Sequence, residues 1–181
     1  RAGKMKSYLK LNQMTKQLTA ASKGKLLIKY NPGSSLLKMS KSIKTIEQAI
    51  DCKETHTLNK LTRLEGAKFT EGVLMNWLIH LNELLDLKRP MTEQQIEYST
   101  HMILSDFGSL KFSDLSLIFN QILRGQHGSF YESLGIDKIM KIFSDYFDQR
   151  CEVGMNRSIS KNIETKQGLA EVSTERKSSK F

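Results

Sequence analysis

The sequence predicts an all-α protein: a compact bundle of about four helices over residues 66–150, a basic and partly helical arm before it, and a flexible polar tail after it. Three observations predict this. Apolar residues recur at i, i+3, i+4 and i+7 through the middle of the chain. Capping signals stand where those patterns begin. Only 2 prolines occur in 181 residues and aromatics make up 8%, unlike a sandwich or barrel of many short strands. The expected divisions are 1–64 for the arm, 65–152 for the bundle and 153–181 for the tail.

The arm is polar. Residues 1–22 carry a sparse helical pattern (Met5, Tyr8, Leu9, Met14, Leu18). Lys25–Tyr30 has the make-up of a short strand, and Asn31-Pro32-Gly33 after it is a turn signal. From Leu36 to Ile50 the pattern is helical, with Ile43, Ile46 and Ile50 on one side and Lys38, Lys41 and Lys44 stepping by threes along another.

The bundle begins with an ambiguous start, since Thr62 with Glu65, and Thr70 before its apolar residues, both resemble helix openings. Val73, Leu74, Trp77, Leu78, Leu81, Leu84 and Leu85 then form a strong stripe, with Trp77 as a core anchor. Pro90 ends it. Thr92 with Gln95 opens the next helix as a capping box, with Ile96, Ile103 and Phe107 facing the core and Gly108 closing it. The densest aromatic stretch follows at 111–150. Ser113 is the expected N-cap, Asp114 favours the first-turn dipole, and Leu115, Ile118 and Ile122 recur at helical spacing. Arg124 and Gly125 make a helix end. A last helix carries Ile136, Ile139, Met140, Phe143, Tyr146 and Phe147 on one side. Beyond Cys151 the apolar pattern stops.

Charge is the most informative compositional feature. Residues 1–64 hold 14 Lys and Arg against 3 Asp and Glu, a net +11; residues 65–150 hold 8 against 12, a net −4. Such asymmetry points to an anionic partner for the arm, most often nucleic acid, although a solvated basic segment accounts equally well for charge alone. Lys23, Lys25, Lys29, Lys38, Lys41 and Lys44 are the candidate contacts. Their binding to DNA or RNA is expected to be non-specific and salt-sensitive. No base-reading device accompanies them.

Chemistry-bearing motifs are missing. Lys23-Gly24-Lys25 lacks the spacing of a phosphate loop, and no nucleophile elbow or zinc-protease helix occurs. Cys52 and His56 stand four apart but have no second pair of ligands, so no metal and no cofactor are expected. Gly125-Gln126-His127-Gly128 has the form of the loop that clamps nucleic acid in KH domains, but its flanks show no strands, which leaves a tight turn. The chain is therefore expected not to be an enzyme. The two cysteines resemble no disulfide framework, and the default is reduced thiols in the cytoplasm. No apolar run reaches the roughly 20 residues of a membrane span. The opening Arg1-Ala2-Gly3 has neither an initiator Met nor a signal-peptide core, as expected of a segment from a longer chain.

Between residues 66 and 150 the motifs form a recognisable series. It runs through Trp77, Leu78 and Leu81, then Met91-Thr92 with Gln95-Ile96. It continues as Leu110-Lys111-Phe112-Ser113-Asp114-Leu115, then Gly125, Gly128 and Phe130-Tyr131, and closes with Phe143 and Arg150. In these residues the chain resembles a helical family of uncharacterised function carried by Bacteroides-group bacteria, their mobile elements and phages. It departs from that pattern at His127 and Glu132. The resemblance implies a helical fold and a mobile-element or phage context. Two function classes follow. One is a non-enzymatic accessory or adaptor protein of DNA replication or transfer, with a basic arm on nucleic acid and a helical domain docking a replication protein such as a helicase; small helical helicase loaders share that layout. The other is a protein-interaction or structural module with no nucleic-acid role.

Overall fold

Several helices start where the sequence supplies a side-chain acceptor for their first free N–H groups. In a computed structural model that describes residues 23–128 and 133–178, Asn31 caps α2 (Pro32–Ser42), with Pro32 in its first turn. Thr45 and Gln48 form a capping box on α3 (Ile46–Asp51), and Thr57 accepts from the Lys60 amide at the start of α4 (Leu58–Glu65). Gly66, at φ 94°, turns the chain directly into α5 (Ala67–Leu85). The expected Thr92–Gln95 box opens α6 (Glu93–Asp106). Then come α7 (Phe112–Leu123) and α8 (Ile136–Ser178). Residues 23–29 form α1.

The described residues are all-helical, with two isolated β-bridges, Thr57 with Lys111 and Arg89 with Ser133, and no strand. Among them no helix is long and apolar enough to cross a membrane.

Helix α7 is the axis of the packing. Every residue from Phe112 to Phe119 is buried, and α2, α3, α5 and α8 all lie against it. The rings of Tyr30, Trp77 and Phe119 surround this axis: Tyr30 lies 4.4 Å from Phe112, and Trp77 lies 5.3 Å from Phe112 and 5.8 Å from Phe119. A second aromatic group joins Phe107 to Phe143 and Phe147 where α6 meets α8. Of the expected core, Trp77, Leu81, Ile103, Phe107, Ile118, Ile122 and Phe143 are buried, whereas Phe147 is only partly covered and its neighbour Tyr146 takes the inner position.

Four expectations are corrected. Lys25–Tyr30 is not a strand: the Tyr30 amide donates to the Leu26 carbonyl at 2.8 Å, an i→i−4 helical bond, and no neighbouring strand offers a ladder. The helix expected over 36–50 is two, because the backbone extends at Ile43 and Thr45 before the capping box restarts it. Ser113 does not cap α7. The Lys111 amide donates to Asp114 at 2.7 Å, and Ser113, one residue inside the helix, is buried. Lastly, the chain before residue 65 is no separate arm from Tyr30 onward. Tyr30, Leu36, Met39, Ile43, Ala49, Leu58 and Leu61 are buried in one core with Trp77, which extends the bundle beyond four helices.

The contacts that fix this segment are polar as well as apolar. Ser113 Oγ donates to the Ala49 carbonyl at 2.8 Å and accepts from Thr55 Oγ1 at 3.0 Å. Lys111 Nζ donates to the carbonyls of Ile50 (2.5 Å) and Cys52 (3.0 Å). The C-terminal carbonyls of α3, orphans by helix geometry, are thus satisfied by the start of α7. The amides of Leu58 and Asn59 donate to the carbonyls of Leu110 and Gly108, tying α4 to the loop ahead of α7. A Cβ at Gly108 would come within 2.2 Å of the end of the exposed Asn59 side chain, which would have to swing aside. Helix α8 continues past residue 153, where a tail was expected, and is 43 residues long. Arg157 anchors it to α3 through a two-pronged pair with Asp51, both at 2.9 Å.

Candidate nucleic-acid interface

Helix α2 buries Ser35, Leu36 and Met39, so Leu37, Lys38 and Lys41 face outward. Lys25 and Lys29 on α1 and Lys44 just beyond α2 are also exposed, while Lys23 is half-buried. The candidate lysines differ in their surroundings. Lys29 Nζ lies 5.4 Å from the centre of the Tyr30 ring. Lys38 pairs with Glu54 at 3.3 Å, with both side chains well exposed, a contact of small energetic value. Lys44 Nζ turns back to cap the Ser40 carbonyl. Among the described residues, Lys38 alone of the six pairs with a carboxylate. Of the +11 on residues 1–64, +5 falls on residues 1–22, outside the described residues.

Three of the clefts on the described surface lie beside charged residues. The largest, about 370 Å³, lies between α5 and α6 and is lined by Glu71, Met75, Glu97, Tyr98, Thr100 and His101. Its carboxylates oppose an anionic ligand. A second, about 240 Å³, brings Lys29 and Lys38 together beside Tyr30, with Glu54 on its wall. The third, about 90 Å³, sits where the C-terminal ends of α2 and α7 meet and joins Lys44 to Arg124. Charge alone could not single out Arg124, because its grouping with Lys44 exists only through the packing of α2 on α7.

The Gly125–Gly128 turn is a helix terminator. Gly125, at φ 71°, donates to the Ile122 carbonyl, and Gln126 donates to that of Gln121. Those two bonds are the Schellman pattern. Cys52 and His56 gather no third ligand among the described residues. The His56 amide instead donates to the Tyr30 hydroxyl at 3.2 Å. Burial, and then the charges of Lys60 and Lys29, hold the His56 ring below the usual histidine range.

The most deeply buried charge is at Asp114. Its carboxylate accepts from Tyr146 Oη at 2.8 Å, Arg150 Nε at 3.0 Å and the Lys111 amide at 2.7 Å. Burial and then the Asp114 charge push the Tyr146 hydroxyl far up, so it remains a donor. Lys111, Ser113, Asp114 and Arg150, scattered through the motif series of the sequence, thus meet at one place. There they join α3, α7 and α8 rather than open onto a cleft.

The described residues form an all-helical protein with exposed lysines on and near α1 and α2. Comparison with protein-family models, with curated proteins and with solved structures returned no match.

Proposed function

We propose that this chain is a non-enzymatic accessory or adaptor protein of a mobile element or phage, acting in DNA replication or transfer. It touches nucleic acid without sequence preference through Lys25, Lys29, Lys38, Lys41 and Lys44, with Lys23 at the edge. One observation carries this reading: Lys25, Lys29, Lys38, Lys41 and Lys44 are all exposed on or just after α1 and α2, and only Lys38 of them has a carboxylate partner among the described residues. Each lysine brought to a phosphate releases a condensed counterion, so a row of them favours any polyanion in proportion to contacts made. Proximity to DNA would leave the rest of the bundle to dock a replication protein such as a helicase.

A second reading, a protein-interaction module, draws support from exposed apolar side chains on α1, α2 and α8. Ile28 is 75% exposed and Leu37 60% exposed, and Met155, Ile159 and Ile163 follow one another at four-residue spacing on α8. Fluorescence anisotropy with single-stranded and duplex oligonucleotides between about 50 and 200 mM salt separates the two. The accessory reading requires binding that weakens steeply with salt and is flattened by K38E/K41E/K44E in a folded protein. No binding at about 50 mM salt leaves the protein-interaction module as the account.

A further inference from the structure

We infer that the cleft between the C-terminal ends of α2 and α7 is a subsite for one phosphate of a nucleic-acid backbone, held by Lys44 and Arg124. The inference rests on the nucleic-acid reading above and names where the backbone is gripped. Among the three clefts it is the one that brings two cations together with no carboxylate in its lining. Its remaining polar lining includes the amide side chains of Asn120, Gln121 and Gln126, while the Ser40 hydroxyl already donates to the Leu37 carbonyl at 2.8 Å.

Two helix C-termini at one place would ordinarily repel an anion, since each carries roughly half a negative charge. Here several of the end carbonyls are already engaged. That of Ser40 accepts from Lys44 Nζ, and that of Met39 from the Ile43 amide. Those of Asn120, Gln121 and Ile122 accept from the amides of Arg124, Gln126 and Gly125. Two full positive charges against roughly one negative leave the cleft about one charge positive.

Donors also remain to be used. Lys44 spends one N–H on Ser40 and keeps two. The Arg124 guanidinium is exposed and unpaired among the described residues, with a fork suited to two phosphate oxygens. His127 Nε2 lies 3.4 Å from Gln121 Oε1, which occupies the acceptor end of that amide and leaves its N–H groups to the cleft. The Schellman turn carries Gln126 round the helix end to the same place. The turn that resembled a nucleic-acid clamp in sequence therefore contributes side chains rather than a glycine-lined backbone.

The test compares salt slopes for duplex binding in the wild type, R124A, Q126A and K88A, with far-ultraviolet circular dichroism as the fold control. Lys88 is exposed and outside this lining. Losing one phosphate contact lowers the slope by about 0.9, so R124A should lose about 3.5-fold less affinity than wild type between 50 and 200 mM salt. Q126A should bind more weakly with its slope unchanged, because it removes a neutral donor from a built site. K88A should match wild type. If wild type binds and R124A matches K88A, the subsite is wrong while the nucleic-acid reading stands. If R124A flattens the slope but Q126A binds as wild type does, Arg124 adds charge only and the built subsite is overturned. Failure of the wild type to bind at about 50 mM salt overturns both.

Discussion

The indole N–H of Trp77 donates to the main-chain carbonyl of Tyr30 at 2.8 Å, a buried bond between residues 47 apart in sequence. It makes the segment after α1 part of the structure that Trp77 anchors. Trp77→Phe should cost about 2–4 kcal/mol, from an unsatisfied carbonyl and lost volume together. Urea denaturation measures this, and a loss below about 0.5 kcal/mol would show that the bond does not hold the segment.

The same relationship forecasts the behaviour of a fragment. Residues 66–150 expressed alone lack Tyr30, Leu36, Met39, Leu58 and Leu61, all buried in the shared core. The exposed faces of α5 and α7 should bind a hydrophobic dye, and melting should lose its cooperativity. A sharp transition at the full-length midpoint would restore 66–150 as an independent domain.

What could be read from the sequence depended on how locally each contact was encoded. The Trp77 stripe and the Thr92–Gln95 box are written within one helix, and both were legible. Tyr30, Leu36, Met39 and Ala49 belong to short segments, and the side read there from Ile43, Ile46 and Ile50 gave no sign of the core they share with Trp77. Thr55 with Ser113 and Arg157 with Asp51 are 58 and 106 residues apart. Periodicity carries nothing across such separations. The lysine edge was legible as charge, whereas Arg124 beside Lys44 became visible only once α2 was packed on α7.

Helix α8 runs 21 residues beyond Arg157, which pairs with Asp51 on α3. In proteins most helical stability comes from tertiary packing rather than from propensity. Deleting residues 161–181 should therefore leave the unfolding free energy from urea denaturation within about 0.5 kcal/mol of wild type. A loss of 2 kcal/mol or more would show that the distal helix packs on the body. Asp51→Ala removes a partly exposed pair and should cost no more than about 1 kcal/mol.

His56 gives stability a pH dependence of definite sign. Its folded-state value lies below the ordinary 6.5, so the unfolded chain takes up this proton first as pH falls. The stabilising contribution is complete above about 6.5 and declines as pH drops towards the folded value. Between pH 7.5 and 5.5 the wild-type unfolding free energy should fall more than that of His56→Gln. Parallel curves would assign the pH dependence to other groups.

The last prediction concerns Asp114, whose side chain is fully buried while that of Arg150 is 17% exposed. Removing one partner of a buried ion pair leaves the other charged and poorly solvated, so Asp114→Asn should cost about 3–5 kcal/mol. Tyr146→Phe removes one hydrogen bond to a charged group and should cost about 1.5–3 kcal/mol. Both changes act on the same carboxylate. In the double variant the Tyr146 hydroxyl no longer has an anion to serve, so its loss matters less. The double variant should therefore be more stable than the sum of the single effects predicts, by at least about 1 kcal/mol. Additive effects would mean that Tyr146 packs beside Asp114 without supporting its charge. Coupling of the expected size would identify the carboxylate as the joint between α7 and α8, and the reason Lys111, Asp114 and Arg150 occur in one sequence pattern.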